Sequence, residues 1–184
     1  HMRQLLRSPA LWTAVFAAVL ALAFLGSRGI WDPDEGRYTN VALNMLDSGD
    51  WLNPRRNDEV GHWTKPPLTY WTIAASSAVV GENAWAARLP IALSYLLCVW
   101  LAWRIGRCLA PGAEATAALA YATMLLPFGA SQLFTTDYVL AACQGVALWA
   151  FVEARFGPSR HPQAWIALMW AGFALAFITK GPPG

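Results

Sequence analysis

The chain has 184 residues, of which 57% are hydrophobic and 13% charged, with eleven tryptophans. A soluble domain of this size carries about 25% charge and fewer than half apolar residues, so a water-covered globule and a disordered chain are both excluded. Thirteen Lys and Arg against eleven Asp and Glu leave a formal charge of +2, with no footprint for nucleic acid. Cys98, Cys108 and Cys143 lie in or beside apolar runs without paired spacing. They read as small buried hydrophobes, not as a disulfide framework or a metal site. His1-Met2 reads as a cloning remnant. The composition predicts an all-α, polytopic membrane helix bundle.

Charge-free runs mark the spans. Ser8 to Ser27 is 20 residues without Asp, Glu, Lys or Arg, Ala115 to Thr136 is 22, and His161 to Thr179 is 19. About 20 apolar residues cross a bilayer core as a helix. Leu89 to Trp103 and Tyr138 to Val152 are flanked by Arg88 and Arg104 and by Asp137 and Glu153, which can be buried or can snorkel. Five spans follow: 9–26, 86–108, 112–130, 136–156 and 162–180. A secretory signal is the rival reading of the first, but its apolar part is long for one and further spans follow. The basic residues Arg3, Arg7, Arg104, Arg107, Arg155 and Arg160 fall on one side if the helices alternate, which makes that side and the N-terminus cytoplasmic. The loop over 27–85 is then extracytoplasmic.

Within that loop, Asp32-Pro33-Asp34-Glu35 has the form of a capped helix start, with Asp32 at the cap and Glu35 reaching back. Tyr38, Val41, Ala42, Met45 and Leu46 give the helix one apolar face, and Ser48-Gly49-Asp50 ends it. A polar stretch, 53–61, follows. Pro66-Pro67 then opens a segment, Leu68 to Val80, that is short for a span. It reads as an interfacial helix with Tyr70 and Trp71 at headgroup level.

Asp34 stands out among the acids, because the cap does not use its side chain and it lies just past the end of span one. Arg37 and Tyr38 share its helical turn; the bland reading of Arg37 is an ion pair. Lys65 sits before a rigid Pro-Pro step, or else snorkels to lipid phosphate. Asp137 and Lys180 each end a span on the side that holds Asp34, and charges so placed face a cavity or a partner. Glu114 and Glu153 read as solvated. His62 and His161 have no second ligand at metal spacing.

The strings Asp34-Glu35-Gly36-Arg37-Tyr38, Met45-Leu46-Asp47-Ser48-Gly49-Asp50-Trp51, Lys65-Pro66-Pro67-Leu68-Thr69-Tyr70-Trp71 and Ala87-Arg88-Leu89-Pro90 occur in that order, followed by Thr136-Asp137 and Thr179-Lys180-Gly181-Pro182-Pro183. This ordered set resembles the polyprenyl-phosphate-dependent membrane glycosyltransferases of the GT-C type, nearest to the aminoarabinose lipid A transferases and more distantly the protein O-mannosyltransferases. The resemblance implies an inverting transfer from an undecaprenyl-type phosphate sugar donor to a lipid or glycan acceptor. It implies catalytic roles for Asp34, as general base, and for Asp137. Arg37, Lys65 and Lys180 would hold the carrier phosphate, while Tyr38, Glu35 and His62 would line the same cavity. No metal ligand is assigned; a divalent cation stays open. Thr64 stands where close family members carry Glu, and His62 where they often carry an aromatic residue. Family proteins are much longer, so the chain reads as the N-terminal part of a larger polypeptide, the rest of which would be a partner. The alternatives are a non-catalytic module that binds polyprenyl phosphate or a partner subunit, and a transporter or scaffold.

Overall fold

The computed structural model describes residues 8–31, 33–57, 60–158 and 161–182. Arg3, Arg7, Asp32, Arg160 and Pro183, which the sequence reading used, lie outside the described residues, as does His1-Met2. Among the described residues there are eight helices and no strand. They are α1 (Pro9–Leu22), α2 (Asp34–Ser48), α3 (Leu68–Val80), α4 (Ala84–Leu109), α5 (Glu114–Thr123), α6 (Leu125–Ser131), α7 (Asp137–Phe156) and α8 (Pro162–Lys180).

Three of them, α4, α7 and α8, are long and apolar enough to cross a membrane. α1 is shorter than the run that predicts it, because 23–26 leave the helix as turns. The run over 112–130 forms two helices. Pro127 has no N–H for the Thr123 carbonyl, and its ring would clash with the turn before it. The chain therefore breaks at Met124, which is extended with ψ 136°. Two tyrosines tie the break to its neighbours: the Tyr95 hydroxyl donates to Ala122 O at 2.8 Å and the Tyr138 hydroxyl to Pro127 O at 2.8 Å.

Pro90 raises the same problem inside α4, where it cannot donate to the carbonyl of Ala86. The Ser76 hydroxyl of α3 donates to that oxygen at 2.7 Å, so a proline becomes the point where α3 is tied to α4. α7 and α8 form a hairpin drawn tight by Gly172. A Cβ there would meet Ala147 N at 2.9 Å and Cys143 O at 3.0 Å, so only glycine lets the backbones approach this closely.

The loop between α1 and α4 is a packed layer. Val41, Ala42 and Met45 of α2 are buried with Tyr70 and Ile73 of α3 and with Ala87, Ile91 and Tyr95 of α4. Gly49, with φ +70°, caps α2 in the left-handed conformation. The polar stretch returns along α2: Asn40 and Asn44 donate to Arg56 O at 2.7 and 2.8 Å, and Arg55 and Gly61 form a bridge. Tyr70 corrects the expectation of a headgroup anchor. It is fully buried, and only its neighbour Trp71 keeps a polar contact near the surface, from its indole N–H to Trp51 O at 2.6 Å. Glu153 is likewise not solvated. It is buried and accepts from Arg104 at 2.9 Å and from the Trp149 indole at 3.0 Å. Glu114 stays at the surface and accepts from Gly112 N.

Candidate active site

Two acid–cation pairs from distant parts of the chain meet at one end of the bundle. Asp34 and Arg37 open α2 one turn apart, with 3.5 Å between carboxylate and guanidinium. Asp137 opens α7 and Lys180 closes α8; because the hairpin is antiparallel, the two ends coincide and the side chains form an ion pair. Both carboxylates stay more than half exposed, at 57% and 55%, so each pair faces open space.

Tyr38 lies between the pairs. Its ring is 93% buried against Tyr70 at 5.9 Å and Phe134 at 6.0 Å, the latter on the segment that leads into α7. Burial raises its phenol pKa above the ordinary value of 10.0, and the charges of Asp34 and Asp137 add to this, while Arg37 and Lys180 oppose it. The hydroxyl is thus a neutral donor within the fields of all four ionised groups.

Glu35 is built differently from its neighbour. Asp32, its expected capping partner, is outside the described residues, and Pro33 stands at the position before the helix. The Glu35 carboxylate does reach back to a backbone N–H, that of Trp31 at 2.7 Å, but arginines hold the rest of it. Arg28 donates at 2.8 Å, and Arg88 donates at 2.7 and 3.0 Å to the two oxygens. Arg88 also donates to the carbonyls of Leu25, Arg28 and Gly29, so all five of its N–H groups are used. Burial alone would raise the Glu35 pKa. The Arg88 hydrogen bonds, the Trp31 N–H, Arg28 and the Arg88 charge outweigh it and hold the carboxyl below its ordinary 4.5. With 4% exposure Glu35 ties the end of span one, the loop and α4 together beneath Asp34, and does not face the open side.

His62 is buried behind the pairs. The Arg56 Nε–H donates to its Nδ1 at 3.1 Å. A guanidinium can only donate, so the ring proton is on Nε2, which donates to Thr64 Oγ1 at 2.9 Å. Burial, then the charges of Arg56 and Arg37, lower its pKa below the ordinary 6.5. Its ring meets Tyr70 edge-on at 5.8 Å, so His62, Tyr70 and Tyr38 form an aromatic row leading to the acids. Lys65, half-buried after Thr64, has no ion pair among the described residues, and no contact joins it to either acid.

The structure therefore brings Asp34, Arg37, Tyr38, Asp137 and Lys180 together and sets His62 behind them. Among the described residues no three His, Cys, Asp or Glu converge as metal ligands. Arg88, Arg28 and Tyr70 were not picked out for a role at the site from sequence. The available signal was Arg88 itself, an arginine at the edge of an apolar run, which requires a buried partner.

Residues 64–183 match the family model of the dolichyl-phosphate-mannose-protein mannosyltransferases. An undecaprenyl phosphate-alpha-4-amino-4-deoxy-L-arabinose arabinosyl transferase 2 of Pseudomonas fluorescens is 36% identical over 166 residues, which cover 85% of this chain and 27% of that protein. The corresponding transferase 1 of Sodalis glossinidius is 31% identical over 184 residues, covering 95% and 32%. The crystal structure of ArnT from Cupriavidus metallidurans bound to undecaprenyl phosphate superposes with a TM-score of 0.87 at 27% identity, over 94% of this chain and 32% of that one. Its apo form gives 0.84. The chain thus spans about a third or less of the length of these relatives. The chain belongs to the dolichyl-phosphate-mannose-protein mannosyltransferase family and, within it, is like the aminoarabinose transferases of the GT-C type.

Proposed function

We propose that this chain carries the reaction centre of an inverting glycosyltransferase that uses a polyprenyl-phosphate-linked sugar of the undecaprenyl type and a cell-envelope acceptor such as lipid A. The observation that carries the reading is the meeting of Asp34–Arg37 with Asp137–Lys180 around Tyr38. As the sugar leaves its carrier, positive charge develops at the anomeric carbon and negative charge on the phosphate, so acids and cations are needed at one place. Arg37 and Lys180 hold the carrier phosphate, joined by Lys65, and charge-assisted hydrogen bonds in a partly dry site are strong. Asp34 accepts the acceptor proton as the new carbon–oxygen bond forms on the face opposite the breaking bond to phosphate. Asp137 keeps Lys180 oriented and faces the developing positive charge. Tyr38, neutral, donates to phosphate or sugar oxygen. A divalent cation at this place would have to share both carboxylates with Arg37 and Lys180, and the reading gives charge neutralisation to those two side chains.

In this reading the spans are 9–26, 86–108, 112–130 (broken at Met124), 136–156 and 162–180, and the centre lies at the extracytoplasmic face of a bacterial inner membrane, with the N-terminus cytoplasmic. The test is transfer of labelled sugar from a lipid-linked donor by membranes that hold the protein. Asp34→Asn is expected to lower turnover by about 100-fold or more, the usual weight of a general base. Wild-type rates in Asp34→Asn and Lys180→Ala together would overturn the reading. The rival reading is a module that binds polyprenyl phosphate without turning it over. Binding of the labelled donor by the 184-residue chain with no transfer would support that rival.

A further inference from the structure

The end of the bundle away from Asp34 and Asp137 carries a groove of about 680 Å³ between α1, α4 and α5. Its size falls within the range of ligand pockets, roughly 300–1,000 Å³. The α1 wall consists of Ala10, Thr13, Ala14, Ala17 and Ala18, all too small to fill the space against α4. Leu96, Val99 and Trp103 line the opposite side, so the floor is apolar.

Two cations stand at the mouth, Arg104 and Arg107, and they are differently engaged. Arg104 is neutralised by Glu153 at 2.9 Å and lies over the rings of Trp100 and Trp149, at 5.4 and 5.0 Å. Arg107 is exposed in the last turn of α4, and among the described residues no carboxylate pairs with it. Among the described residues no Asp or Glu lines the groove. An apolar slot thus ends in one uncompensated guanidinium with the Trp100 and Trp103 indoles beside it, the residues that suit the boundary between acyl chain and headgroup.

We propose that this groove holds one anionic glycerophospholipid, with an acyl chain along the alanine face of α1 and its phosphate on Arg107. The site is separate from the transferase centre and stands whether or not that reading does.

The test is native mass spectrometry of the detergent-purified protein offered phosphatidylglycerol and phosphatidylcholine with identical chains. Phosphatidylglycerol is expected to be retained in preference. Arg107→Ala should weaken its retention roughly fivefold, the weight of one basic residue near an anionic lipid, with phosphatidylcholine, whose choline offsets its phosphate, weakened less and Arg107→Lys retaining the preference. Ala14→Trp, which fills the slot from an exposed position on α1, should lower retention of both. Equal retention of the two lipids, or a preference that survives Arg107→Ala, overturns the proposal. Full retention in Ala14→Trp also overturns it, because the lipid then sits outside the groove. The Arg107 variants change only an exposed side chain, so the headgroup arm decides even if Ala14→Trp does not fold.

Discussion

Arg88 and Glu35 show how a membrane protein makes a buried charge tolerable. Neither could be left alone at this depth; each completes the other, and Arg28 and three carbonyls complete both. Breaking such a pair by removing one partner costs about 3–5 kcal/mol, because the remaining charge stays buried. Arg88→Ala should therefore lower the melting temperature in detergent sharply. Arg88→Lys should not rescue it, since an ammonium cannot fork to a carboxylate and reach three carbonyls at once. The two shifted titrations in this layer give a pH profile. His62 is lowered, so the folded state resists the proton that the unfolded chain takes up below 6.5; stability is full above that pH and declines below it. Glu35 is also lowered, so its contribution is full above 4.5 and is lost as pH falls through the folded value. The wild type should thus lose stability in two stages on acidification. His62→Gln should remove the upper stage only, as read by thermal melting from pH 8 to 4; an unchanged profile would refute the assignment to His62.

At the scale of elements, prolines decide where helices join. The Ser76 hydroxyl stands in for the N–H that Pro90 lacks, so Ser76→Ala leaves the buried Ala86 carbonyl unpaired, at about 1–3 kcal/mol. In a Pro90→Ala background the backbone supplies that hydrogen bond, and Ser76→Ala should then cost little. Two single variants and the double measured by thermal melting give the coupling, and additive effects would contradict the arrangement. Helix existence was legible from apolar period and end signals: Ser48-Gly49 ends α2 and Pro66-Pro67 precedes α3, as the sequence suggests. The break at Met124 was legible too, in Pro127, but a charge-free run of 22 residues outweighed it in the reading of a single span. The burial of Tyr70 was not legible. Tyrosine at the membrane boundary fits either headgroup or core, and only the packing of α2 over α3 decides between them.

The whole molecule sorts its charges to two ends, as the alternation of spans already suggests; which acid pairs with which cation at each end is what local sequence could not give. Asp34, Arg37, Asp137 and Lys180 are separated by up to 146 positions, and the packing of α2 on α3, with Tyr38 against Phe134 just before α7, brings them to one place. The resemblance named all four, and Tyr38 with them, yet it did not say that Asp137 and Lys180 pair with each other or that Tyr38 stands between the pairs. At the other end stand Arg104, Arg107 and Arg155, while the connection over 131–135 at the Asp137 end has no Lys or Arg. Because cytoplasmic loops hold the excess of basic residues, the proposed orientation has the Asp34 end outward. Cysteine labelling in intact cells checks it, in a background with Cys98, Cys108 and Cys143 replaced. Leu133→Cys, exposed in the connection before α7, should react with a membrane-impermeant maleimide without permeabilisation. Gln163→Cys, exposed at the start of α8, should react only after it. The reverse pattern would put Asp34 and Asp137 on the cytoplasmic side and would remove the extracytoplasmic active site from the proposed function.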